Sequence, residues 1–153
     1  MKLKLTELVG VGDKIGLLIL PFLTGGLILN ILFPRLFSVG GPPPALKVIS
    51  MIALIPGVTI WLWSVVLILT KARDGELITG GPYALVKHPL YTGVALLVLP
   101  WLGFLLNTWL GALLGIVLYV GSRMFSHEEE EELARTFGAA WEDYCRKVAI
   151  PWL

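Results

Sequence analysis

The 153-residue chain is 56% hydrophobic and 15% charged, with a net charge of +1 at pH 7 and a mean hydropathy of +0.82. That leaves too little polar surface for a soluble globule of this length, so the chain reads as a single domain placed in a bilayer. No basic run interleaved with aromatics points to nucleic acid, and the single Cys145 excludes an intrachain disulfide framework and any CxxC metal or redox pair.

In chain order, residues 1–14 set Leu3, Leu5 and Leu8 among Lys2, Lys4 and Glu7, which fits either a short amphipathic lead-in or a frayed terminus. The apolar run from Ile15 to Pro34 suits a helix crossing about 30 Å of hydrocarbon. With Asp13-Lys14 before it and no small-residue cleavage site, it is expected to be an anchor rather than a cleaved signal. Pro21 and Gly25-Gly26 permit a bend and close helix approach. SVGGPPPALK then reads as a stiff spacer. The second run, Val48 to Thr70, carries Pro56-Gly57 and two mid-run tryptophans, Trp61 and Trp63, expected to be packing residues.

The third uncharged run, Pro89 to Ser122, is too long for one span, since a single helix would reach about 51 Å. A tight hairpin at Asn107-Thr108, flanked by Trp101 and Trp109, divides it, and Gly111 and Gly115 form a GxxxG helix-contact signal. The expected fold is therefore all-α: four transmembrane helices, the last two a tight hairpin, plus C-terminal cytosolic amphipathic helices. With both termini cytoplasmic, Lys2, Lys4, Lys14, Lys71, Arg73, Lys87, Arg123, Arg135, Arg146 and Lys147 lie inside, against Arg35 and Lys47 outside. That is a strong positive-inside bias for a multi-pass membrane protein.

Polar side chains return in two places. In the first, Thr79 to Tyr91, Gly80 and Gly81 allow positive φ or close backbone approach, and Pro82 and Pro89 bias Gly81 and His88 away from helix. His88 thus stands at the entrance to the third span, as a structural hydrogen-bonding residue or a functional one, with Tyr91 two residues further in. In the second, Ser126 precedes Glu129 at capping-box spacing, predicting a helix start with acids in its first turns and Arg135, Arg146 and Lys147 later, as the helix dipole favours. If Leu133 and Phe137 define the inward face, Glu129 and Glu130 lie within about 60° of Leu133, whereas Glu128 and Glu131 lie at least about 140° away. Gly138 is expected to end this helix, after which Trp141 and Tyr144 dock a second short segment on the membrane.

Inward carboxylates beside apolar surface are costly unless compensated. The compensation is either internal, from Arg123 or Lys87, or a bound cation. S-adenosylmethionine fits the second case, with a sulfonium, an ammonium, a ribose diol and an adenine that can pack on Tyr83 or Tyr91. A zinc site is not expected, because His127-Glu128 lacks a second histidine four residues after the first, and no GxGxxG or P-loop is present.

GPYALVKHPLY followed by EE-x-x-L-x-x-x-F-G-x-x-W-x-x-Y resembles the integral-membrane methyltransferases that include isoprenylcysteine carboxyl methyltransferases and phospholipid N-methyltransferases. The likeness covers roughly residues 76 to 151 and rests on two motifs in order, separated by the hairpin. It implies a single methyltransferase-like domain, with a membrane-anchor half (1–75) and a cofactor-binding half (76–153). It also implies S-adenosylmethionine contacts at Leu77, Ile78, Tyr83, His88, Pro89, Leu90, Tyr91, Glu129 and Glu130, and catalytic candidates His88, Glu130 and Arg123. The chain departs from the family pattern at Lys87, where arginine is usual, at Trp141, where tyrosine is usual, and at Phe125, where eukaryotic carboxyl methyltransferases carry a substrate-linked arginine and only Arg123 is near. The implied activity is methyl transfer to a lipophilic or small acceptor at the cytosolic face, with membrane lipids as surroundings and no metal. A nicotinamide-binding, sterol-reductase-like enzyme and a non-catalytic scaffold are the alternatives; an acidic pair would repel the pyrophosphate of the former.

Overall fold

A computed structural model describes residues 5–72 and 74–153, with side chains from Gly12 onward except Arg73. Residues 1–4 and Arg73, part of the lead-in and of the cytosolic charge count, lie outside the described residues. Helix α1 (Leu5–Leu32) is followed by a short turn of helix, α2 (Pro34–Phe37), and by α3 (Pro44–Leu67), which ends in a π-helical turn, Ile68–Ala72. A 3₁₀ turn (Gly81–Ala84) leads to α4 (Pro89–Gly93), a π turn (Val94–Val98) and α5 (Leu99–Leu105). Two further helices, α6 (Leu110–Phe137) and α7 (Ala139–Lys147), complete an all-helical bundle. Among the described residues there is no named strand, only an isolated parallel bridge between Val86 and Ile150.

Among the described residues, three helices are long and apolar enough to cross a membrane, over Gly12–Leu32, Pro44–Ala72 and Leu110–Phe137. The first arm of the expected hairpin is a shorter apolar helix, Pro89–Leu105. It would reach only about 26 Å, because the His88-Pro89 corner fixes one end and the turn at Asn107 the other. Its middle is a π turn in which the Leu99 N–H reaches the Val94 carbonyl, one residue before Pro100, which has no N–H to give.

The hairpin folds where the sequence predicts. Asn107 takes φ 58°, a left-handed conformation that asparagine tolerates better than most residues. Its side chain ties the turn to the loop before α3: the Gly41 N–H donates to Oδ1 at 2.9 Å, and Nδ2 donates to Ser38 Oγ at 3.1 Å. Beside it the Trp109 indole stacks on Phe37 at 4.8 Å and donates to the Leu36 carbonyl. The GxxxG pair makes the hairpin close. A Cβ on Gly111 would stand 2.1 Å from the Leu99 carbonyl oxygen, and one on Gly115 2.4 Å from that of Ala95. Helix α3 packs on this arm through buried Ser50, Gly57 and Ser64, whose seven-residue spacing keeps them on one face. Many of its larger side chains are exposed, Trp61 and Trp63 among them. These two are therefore exposed residues on the bundle surface rather than core packing residues, although the Trp63 ring also covers Gly81.

Two other expectations are corrected. Ser126 is buried inside the continuous α6, its hydroxyl donating to the Arg123 carbonyl three residues earlier, so it caps nothing and the acids sit far from the helix N-terminus. The apolar hairpin arm and the acidic segment are one rod because no Gly or Pro intervenes between Gly121 and Gly138. Trp141 and Tyr144 are buried with Val148 against Leu77, Leu133 and Phe137, so α7 docks on the protein itself. Gly138 turns the chain back with φ 51° and ψ −122°.

Replacing Gly111 by alanine should destabilise the protein in detergent by about 3 kcal/mol, since backbone must move on both sides. Gly25→Ala, where an added Cβ meets nothing within 4 Å, should change stability by less than about 1 kcal/mol. Thermal or denaturant unfolding of the two variants checks the contrast.

Candidate functional site

His88 owes its position to Pro89. As the residue before a proline it takes φ −122° and ψ 61° instead of helical angles, and its carbonyl accepts from the Thr92 N–H to open α4. Pro89 itself is fully buried. The imidazole is thereby held against the acidic stretch of α6, with Nε2 3.2 Å from Glu130 Oε1 and Nδ1 3.6 Å from Glu129 Oε2. A protonated ring can donate to both carboxylates and a neutral ring to only one.

Of the five consecutive acids, Glu128 to Glu132, the first four divide as the helical angles require. Glu130 is also met by Lys87 Nζ at 2.8 Å, in a largely buried pair, and Lys87 lies 6.0 Å from the Trp141 ring centre. Glu129 is mostly buried and, among the described residues, has only the longer His88 contact. Glu128 points away and pairs with Lys14 of α1, while Glu131 pairs with His127 and Arg135 on the exposed face.

Glu129 opens into a cavity of about 150 Å³ whose lining also includes Tyr83, His88, Leu90 and Tyr91 from the His-Pro corner and Leu77 and Ile78 from the preceding loop. Those seven residues are ones the sequence singled out. Glu130 and Pro89 stand behind them, the first bonded to His88 and the second forming the corner, and neither lines the cavity. Arg123 is not brought to the site. It is exposed, and six residues along α6 put it about 120° around and about 9 Å along the axis from Glu129.

Sequence reasoning did not assign Ile68 and Ala72, at the π-helical end of α3, Glu76 in the following turn, or Trp141 and Tyr144 to the lining. The first two follow from an irregular helix end that apolar periodicity does not reveal. The aromatic pair carried a signal, amphipathic spacing in α7, that fits docking on protein as well as docking on lipid. Leu133 and Phe137, which also line the cavity, were identified only as an inward helical face.

The tail closes the structure behind this cavity. Ala149 and Ile150 donate backbone bonds to the carbonyls of Ala84 and Leu85, and the Tyr144 hydroxyl donates to the Tyr83 carbonyl at 2.9 Å. Burial, and after it the charge of Glu129, holds the Tyr83 phenol well above its ordinary pKa. Burial does the same at Tyr144, helped by Cys145 and Glu130, so both hydroxyls remain donors. The Cys145 thiol is also raised by burial, against the opposing charge of Lys87, and stays protonated.

The family model for the isoprenylcysteine carboxyl methyltransferase (ICMT) family matches residues 46–135, more than half of the chain. No curated protein and no solved structure matches. The matched region runs from the start of α3 through the His-Pro corner, the hairpin and the acids of α6.

Replacing Lys87 by methionine should destabilise the protein by about 2 kcal/mol, because Glu130 loses its closest cation while remaining largely out of water. Lys87→Arg should recover most of this. Removing both partners, Lys87→Met with Glu130→Leu, should cost less than the sum of the single changes in a double-mutant unfolding cycle.

Proposed function

The chain belongs to the isoprenylcysteine carboxyl methyltransferase family, and from that premise we propose that it is an S-adenosylmethionine-dependent membrane methyltransferase acting on a lipophilic or small acceptor at the cytosolic face. The observation that carries this reading is the grouping of Tyr83, His88, Tyr91 and Glu129 around one cavity at the polar end of an apolar bundle. The donor set suits the cofactor. Glu129 is a mostly buried carboxylate with, among the described residues, a single, long ionic contact, which a cationic ligand would complete. Tyr83 and Tyr91 offer aromatic surface for an adenine, and Leu77, Ile78 and Leu90 an apolar wall.

Bound there, S-adenosylmethionine would supply an electrophilic methyl group. The protein's part is to position the acceptor and keep water out. Leu133, Phe137 and Trp141 serve the second task. Glu130 serves the first indirectly by fixing the His88 ring. An anionic acceptor needs no base, whereas an amine or thiol would give its proton to His88 or Glu129. Arg123 is exposed and does not line the cavity. The cytosolic assignment is supported by Lys14, Lys71, Lys87, Arg135, Arg146 and Lys147 at the site end against Arg35 and Lys47 at the hairpin end. The Glu129 carboxylate facing the cavity leaves little place for a nicotinamide pyrophosphate.

Purified protein in micelles should bind S-adenosylmethionine in calorimetry, and Glu129→Gln should weaken that binding at least about tenfold, the cost of losing a charge-assisted contact. Labelled methyl should pass to at least one acceptor in a panel of membrane lipids, prenylated cysteine analogues, amines and small thiols. Absence of both binding and transfer in the wild-type protein overturns the proposal.

A further inference from the structure

We infer that Glu76 is the second carboxylate of the site and receives the ammonium group of the ligand held there, leaving the deeper Glu129 to the sulfonium. This rests on the function proposed above and adds a residue that the motifs did not indicate. Glu76 lines the same cavity as Glu129 but reaches it from the other side of the chain, from the turn after α3 rather than from α6. It is exposed, so it marks the cavity mouth, while Glu129 is mostly buried.

Its backbone is fixed rather than free. The Asp74 and Glu76 N–H groups both donate to the Lys71 carbonyl, at 3.1 and 3.0 Å, and that of Gly75 donates to Ala72 at 3.1 Å. Gly75 takes φ 78°, which a residue with a Cβ rarely adopts. The turn therefore holds Glu76 at a set position relative to Ile68 and Ala72, which line the cavity themselves. Asp74, two residues earlier and also exposed, does not line it. Lys87, the lysine of the lining, is occupied by Glu130 at 2.8 Å.

The two positive groups of the ligand differ in how strongly they hold water. An ammonium is a compact, strongly hydrated donor of three hydrogen bonds, and a partly solvated carboxylate at the mouth meets it without full desolvation. A sulfonium has no N–H or O–H to satisfy and tolerates the apolar interior, where its methyl group must be kept from water. The depth of the two carboxylates thus sorts the two charges.

Calorimetry on the full chain in micelles with S-adenosylmethionine, S-adenosylhomocysteine and methylthioadenosine tests this. The first two carry the ammonium, and the third lacks the amino-acid half. Glu76→Gln should weaken the first two about tenfold each and leave methylthioadenosine within about twofold. Asp74→Asn should leave all three at wild-type affinity, and it alone decides the matter if methylthioadenosine binds too weakly to measure. Unchanged affinities in Glu76→Gln, an equal loss for methylthioadenosine, or an equal loss in Asp74→Asn would each overturn the role of Glu76. Failure of the wild-type protein to bind any of the three would instead remove the proposed function.

Discussion

Two consecutive carboxylates turned toward the interior at the end of an apolar helix impose the constraint from which the site follows. A carboxylate withdrawn from water must find a cation or a set of donors, and adjacent ones make the demand twice. The chain meets it unevenly. Glu130 has Lys87 at 2.8 Å and His88 at 3.2 Å. Glu129 has the opposite edge of the same imidazole at 3.6 Å and otherwise faces a cavity. One acid is paired within the fold, and the other, with one longer contact among the described residues, faces a cavity. The difference arises because neighbours on a helix lie about 100° apart, so one looks toward Lys87 and Trp141 while the other looks toward Tyr83 and Tyr91.

The scaffold that holds this arrangement is the helical hairpin. His88 opens its first arm and the acids end its second, so their meeting depends on how closely the arms run. Gly111 and Gly115 let carbonyls of the first arm approach to where a side chain would stand. The π turn before Pro100 adjusts that arm while keeping its backbone bonded. Helix α3 adds small residues on its inner face, and its π-helical end carries Ile68 and Ala72 to the cavity.

Features that depend on local chemistry were legible in the sequence, and features that depend on which surfaces meet were not. The proline corner at His88, the turn at Asn107 and the reversal at Gly138 are dictated by residues with narrow backbone preferences. The inward direction of Glu129 and Glu130 follows from helical spacing alone. Ser126 misled because a capping box and a mid-helix serine share the same local pattern, and only the continuity of α6 separates them. Trp141 and Tyr144 misled for a related reason: an amphipathic face specifies burial but not the partner. Arg123 was drawn in by nearness in sequence, which on a helix says little about direction. The arm Pro89–Leu105 is shorter than the other apolar helices because the corner and the turn that make the hairpin bound it.

The position of Lys87 joins these parts into one cooperative unit. Its ammonium lies between the Glu130 carboxylate, 2.8 Å away, and the Trp141 ring, 6.0 Å away. Trp141 belongs to α7, which returns to the bundle only because Gly138 reverses the chain and the tail bonds to the Ala84 and Leu85 carbonyls. Seating α7 removes water from around Lys87 and strengthens its attraction to Glu130; the attraction in turn fixes the charge on which Trp141 rests. Compensation of one carboxylate and closure of the cavity that the other faces are therefore the same structural event.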